Sequence, residues 1–199
     1  MLGIVGMIVL PFGLFIGAFG LLHRKKRAIV SKDGFFYTDG NLAVNWSWEE
    51  IDAVTFTSVS TRTSKTNRYV VQHQNGQQMS IDDQLHEYSE LGALVQEYVA
   101  HYRTPSIAAR FHNAQVISFG DYAVDQETLW HNEHRLLWSE VDHVRLKFGQ
   151  LYVYRRGQKV PWDIIPVFHL PNMRIFLRIV QGVVGVQEAP PQQSASKEL

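Results

Sequence analysis

One phrase is written twice in this chain. Trp48–Val54 reads WEEIDAV and Trp138–Val144 reads WSEVDHV, with Trp, Glu, Asp and Val at the same spacing and Val in place of Ile. A second matched pair follows: GQQMSID from Gly76 to Asp82, and GQKVPWD from Gly157 to Asp163. Upstream, VSKDGFF from Val30 aligns loosely with VDQETLW from Val124. A fixed order of matched phrases is the mark of internal duplication, and it restricts the chain to a fold built as two similar units. The copies differ in one place. Twenty-one residues separate Val54 from Gly76, whereas 12 separate Val144 from Gly157, and the surplus falls at STRTSKTNR.

The phrase reads as a corner. Trp closes one strand with its ring over the core, the polar pair turns, Ile or Val re-enters the core, and a new strand starts at the final Val. Large aromatics dominate core burial. Trp48, Ile51, Val54, Trp138, Val141 and Val144 are therefore expected in the core. Short alternating runs surround the phrase, broken at Asp33-Gly34, Asp39-Gly40, Asn75-Gly76 and Gly149-Gln150, as in antiparallel hairpins. Leu85, Tyr88, Leu91, Val95, Tyr98 and Tyr102 recur at helical spacing, with Asp82 or Asp83 as cap and Pro105 as stop. Pro171-Asn172 opens a second helix with Met173, Phe176, Leu177, Val180 and Val184 on one side. From Gln187 onward there is almost nothing apolar to bury, so this tail is expected to be disordered.

The N-terminus has a different character. Leu2 to Leu22 contains no charge in 21 residues, and HRKKR follows at once. That length suits a helix crossing ~30 Å of hydrocarbon. The charge order is the reverse of a signal peptide's, which predicts an uncleaved single span with the N-terminus outside and the remainder cytoplasmic. Gly13 and Gly17 form a GxxxG pair that favours helix pairing, hence a homodimer or a membrane-protein partner. Arg24, Lys25, Lys26 and Arg27 lie beside the span, where they would attract anionic lipid headgroups. Arg62, Lys65 and Arg68, inside the longer insertion, would grip the phosphate of such a headgroup by charge and hydroxyl hydrogen bonds.

Catalytic patterns are not visible. The chain has 199 residues, 19 basic and 19 acidic, and no cysteine. Balanced charge argues against a nucleic-acid partner, and the lack of Cys excludes thiol chemistry and disulfides. His131, His134 and His143 lie near Glu133, Glu140 and Asp142, but their spacing matches no metal motif. No phosphate loop, dinucleotide fingerprint or G-x-S-x-G occurs. No cofactor, metal or enzymatic activity is expected.

A D-G-aromatic start, a W-x-E-[IV]-x-x-V corner, a G-Q hairpin and a closing amphipathic helix resemble pleckstrin-homology-like (PH-like) domains of bacterial membrane proteins. More narrowly, Phe119-Gly120, Val124-Asp125 and the terminal Pro171-Asn172 helix resemble an uncharacterised bacterial family with a membrane anchor and PH-like repeats, over residues 1–186. The resemblance implies seven strands and a capping helix per unit, of which the first unit shows about five. That family has no established reaction, so no catalytic residue carries over. The expected fold is a membrane-anchored α+β protein. A transmembrane helix and basic flank occupy 1–27, two PH-like antiparallel units closed by amphipathic helices occupy 28–104 and 105–186, and a tail occupies 187–199. The expected function is non-catalytic display of the repeats for lipid or protein binding. The alternative is a scaffold or sensor subunit that self-associates through its span and takes a partner at a sheet edge.

Overall fold

The computed structural model of the protein describes residues 16–19, 26–39, 42–60 and 65–188. Strands dominate: fifteen strands and two α-helices lie among these residues. β1 (Ile16–Phe19), β2 (Arg27–Val30), β3 (Gly34–Thr38) and β4 (Ala43–Ser47) form one antiparallel sheet in that order. A 3-10 turn at Trp48–Glu50 leads into a second sheet of β5 (Ile51–Ser60), β6 (Lys65–His73) and β7 (Gln78–Asp82). Helix α1 (Tyr88–His112) follows.

The second half repeats this order. β8 (Ile117–Phe119), β9 (Tyr122–Val124), β10 (Thr128–His131) and β11 (His134–Leu137) form a four-stranded sheet. A 3-10 turn at Trp138–Glu140 leads to β12 (Val141–Lys147), β13 (Gln150–Arg155) and β14 (Pro161–Pro166). A 3-10 turn at Val167–His169 precedes α2 (Met173–Val183), and β15 (Gln187–Glu188) pairs in parallel with β12.

The copies match bond for bond. Ser31 Oγ accepts the amides of Asp33 and Gly34, and Asp125 Oδ1 accepts those of Glu127 and Thr128. Trp48 Nε1 donates to the Ser31 carbonyl at 3.0 Å, and Trp138 Nε1 donates to the Asp125 carbonyl at 2.9 Å. Each buried indole thus satisfies its one polar atom while its ring fills the core. Ile51, Val54, Val141 and Val144 are also buried. The register slips between Ile51 and Ala53 and between Val141 and His143, so Asp52 and Asp142 occupy matching bulges. The repeated acids are therefore part of the corner's construction.

The apolar N-terminal stretch requires a correction. Ile16–Phe19 is a strand, not part of a transmembrane helix. Among the described residues no helix is long and apolar enough to cross a membrane. The single-pass reading is corrected accordingly, and so are the cell-membrane placement and membrane-anchored α+β class that depended on it. The chain is mostly β. The physical reason lies in the duplication: β2 needs a neighbour as β9 has β8. Phe19 opposes Ala28 and Ile16 opposes Val30, just as Phe119 opposes Tyr122 and Ile117 opposes Val124. Gly17, assigned above to helix pairing, lies in β1. Gly13 and the rest of Leu2–Phe15 lie outside the described residues.

Two further expectations change. α1 starts at Tyr88 behind Glu87, held at φ 56, so Asp82 and Asp83 do not cap it. It also runs through Pro105. Pro105 and His101, whose carbonyl loses its helical donor to the proline ring, are both exposed, so that carbonyl is open to solvent. Packing keeps the helix going, because α1 serves two cores. Leu91, Val95 and Val99 belong to the first, and Ala100 and Ile107 to the second. At the other end, Gln187 and Glu188 form β15 instead of joining a disordered tail, and 189–199 lie outside the described residues.

Candidate binding site at the junction of the two units

The units are locked at one edge. Asn172, the residue before α2, is held at φ 51. Asn tolerates this left-handed backbone better than most residues. From there its side chain reaches β5: Asn172 Nδ2 donates to the Asp52 carbonyl at 2.9 Å, and Oδ1 accepts the Val54 amide at 3.2 Å. Asn172 N–H also donates to the Val54 carbonyl at 3.0 Å. The Asp52 carboxylate accepts from Arg103 of α1 at 2.9 Å. The outer edge of β5 is thus occupied here, and that of β12 is occupied by β15. At these positions the two edges are not open to strand addition.

Beside the lock is a groove of about 380 Å³. Phe56, Asn67 and Tyr69 from β5 and β6 line it, with Tyr88, Ala93 and Gln96 from α1, and with Phe168, Met173 and Arg174 from the second unit. Phe56 meets the Tyr69 ring edge-on at 5.0 Å and the Phe168 ring at 6.4 Å. Phe168 is 49% exposed, so much of an aromatic ring faces the opening. Gly149 packs beneath that ring; a Cβ there would sit 2.0 Å from Phe168 Cε2.

Two residues that line this groove carry a polar atom that stands out. Asn67 Oδ1 and Arg174 Nε are both buried with no hydrogen-bond partner. Such atoms are rare in folded proteins, because leaving one unmade costs about 1–3 kcal/mol. Arg174 Nη1 lies 2.6 Å from Glu97. Arg178 shares the same carboxylate at 3.6 Å. Two guanidinium groups and one carboxylate leave a local surplus of positive charge.

The residues expected to bind lipid do not gather. Arg24, Lys25 and Arg62 lie outside the described residues. Lys26 is ion-paired with Asp82 at 3.1 Å. Arg27 is exposed on β2. Lys65 pairs with Ser60 in the backbone ladder of β6. Arg68 Nε donates to Thr57 Oγ1 at 3.3 Å. STRTSKTNR is therefore mostly an extension of strands: β5 and β6 have 10 and 9 residues where β12 and β13 have 7 and 6.

Other titratable clusters tie sheets together. Burial, then the charges of Asp39 and Asp82, push the Tyr37 phenol up to about 12. In the second unit His131 Nδ1 lies 2.8 Å from Asp163 and its ring stacks on Tyr122 at 4.4 Å. Burial and then Asp163 raise the Tyr122 phenol. The His131–Asp163 contact joins β10 to β14. Among the described residues no group of three His, Asp or Glu converges for a metal.

Sequence reasoning missed the junction groove. Its walls come from four separate stretches, and the one available hint was Asn172 standing at a helix start after Pro171. In comparisons with known proteins, a family described as "Family of unknown function (DUF6585)" matches residues 1–188. No curated protein matches the chain.

Proposed function

Because the chain belongs to this family of unknown function, we propose from its own geometry that it is a non-catalytic binding module whose site is the groove between its two units. The observation that carries this is the pair of buried, unpartnered atoms, Asn67 Oδ1 and Arg174 Nε, on two residues that line one largely aromatic groove. A bound molecule would satisfy both. The PH-like reading is supported by the count: β1–β7 with α1, then β8–β14 with α2, each four strands, a corner, three strands and a helix. The lock through Asn172 fixes the groove walls relative to each other, which lowers the ordering cost of binding.

Native mass spectrometry of the intact protein, isolated gently from its source, tests the reading. The expected result is a retained adduct that Phe168→Ala loses. A clean unliganded mass in every preparation, or an adduct indifferent to Phe168→Ala, would sink it.

A further inference from the structure

The groove's chemistry narrows what it holds. This step rests on the binding reading above and names the ligand class. Its volume of about 380 Å³ is that of a small-molecule site, too small for a folded partner. Its walls are mainly apolar: Phe56, Tyr69, Tyr88, Phe168 and Met173. The polar lining residues other than the two tyrosines are Asn67, Ser89, Gln96 and Arg174, and of these only Arg174 and Asn67 carry a buried atom without a hydrogen-bond partner. Arg174 Nε is a donor with nothing to donate to. Asn67 is the other. No bond holds its Oδ1, so the amide can turn about its last torsion and present Nδ2–H instead. Two residues lining one groove thus carry an unspent donor.

Charge points the same way. Arg174 and Arg178 share the single carboxylate of Glu97, leaving one positive charge uncompensated beside the groove. A buried guanidinium N–H is matched best by a carboxylate oxygen, since charge-assisted bonds are the strong ones. A neutral apolar ligand would leave Arg174 Nε orphaned, and a cationic one would be repelled.

We propose that the junction groove binds a small amphipathic carboxylate, its apolar body against Phe56, Tyr69, Tyr88 and Phe168 and its carboxylate on Arg174 Nε and the Asn67 amide. Arg110, near the C-terminal end of α1, bonds Gln115 and lies outside the groove lining, so it serves as the control position.

The test is titration calorimetry of the full chain with three probes of one length: decanoate, decanol and decylammonium. Decanoate is expected to bind at one saturable site, at least about tenfold tighter than decanol, with decylammonium inert. Arg174→Gln should weaken decanoate about tenfold or more, Asn67→Leu should weaken it as well, and Arg110→Gln should leave it within about twofold. Thermal melts verify that each variant is folded. Ala93→Leu, which fills the groove without altering charge, provides a second route if Arg174→Gln unfolds. Decanol binding as tightly as decanoate, decanoate binding unaffected by Arg174→Gln or Ala93→Leu, or no saturable site would overturn the proposal. A Phe168-dependent native adduct with no decanoate binding defeats the carboxylate assignment alone. Absence of both defeats the groove reading as well.

Discussion

Val54 and Asn172 hold each other by two hydrogen bonds across 118 positions of sequence: the Val54 amide donates to Asn172 Oδ1, and the Asn172 amide donates to the Val54 carbonyl. A backbone edge in one unit is thereby capped by an asparagine that begins a helix in the other. Asn172→Ala removes two side-chain bonds at about 1 kcal/mol each and puts at φ 51 a residue that tolerates left-handed backbone less well than asparagine, at about 1 kcal/mol more. The expected loss is about 2–3 kcal/mol in urea unfolding, with faster exchange of the Val54 amide. Asn172→Gly should lose about 1 kcal/mol less, since only the backbone penalty is relieved. Equal stability of Asn172→Ala and the parent would show that the lock is not a stabilising contact.

Gly92 and Gly182 are both helical glycines, and they should respond oppositely to alanine. A Cβ on Gly92 would lie 2.1 Å from Tyr69 Cδ2, whereas nothing lies within 4 Å of one on Gly182. Gly92→Ala forces the Tyr69 ring to move, which costs about 1–3 kcal/mol and outweighs the gain in helix propensity. Gly182→Ala collects that gain, up to about 1 kcal/mol. Thermal melts decide, and a stabilising Gly92→Ala would mean that α1 does not rest tightly on β6.

The corner carboxylates should appear in the acid limb of stability. Bonds from the Ser47 backbone and side chain lower the Glu50 pKa, and the Arg155 bond and then the Leu137 amide lower that of Glu140. A lowered folded pKa contributes stability above the ordinary glutamate value, about 4.3, and that contribution is lost as pH falls through the folded value. Glu50→Gln and Glu140→Gln should thus narrow the stability gap to the parent as pH drops below about 4. Urea titrations at several pH values measure it; a gap independent of pH would contradict these bonds.

Removing residues 1–19 strips the neighbour from β2. The ladder bonds of β1 contribute about 1 kcal/mol each, so the midpoint should fall by several degrees. The bared edge should also promote association between chains, visible by light scattering. A shortened chain as stable and as monodisperse as the parent would argue that β1 adds nothing to the sheet.

Much of this architecture could be read before any coordinates, because it is written twice. The corners at Trp48 and Trp138 and the hairpin at Asn75-Gly76 follow from local chemistry, as does the helix opening at Asn172. β1 escaped detection because an unbroken apolar run suits a membrane helix and a buried strand equally well. The overlooked signal was Phe19-Gly20, the counterpart of Phe119-Gly120. Pro105 misled because a proline ends a helix only where neither water nor packing makes good the lost bond. The groove could not be foreseen. Phe56, Asn67, Phe168 and Arg174 carry no shared pattern, and only the docking of one unit on the other brings them together.

Helix α1 changes hands between adjacent residues, Val99 packing in the first core and Ala100 in the second. Its 25 residues span about 37 Å. Any cut between Tyr88 and His112 would leave one half with an open core, so no break there returns two whole copies. The halves have the form of a repeat but the interdependence of a single object. A disturbance at the first core, at Trp48 stacked 4.7 Å from Tyr98 for instance, tilts a beam whose far end lies against α2.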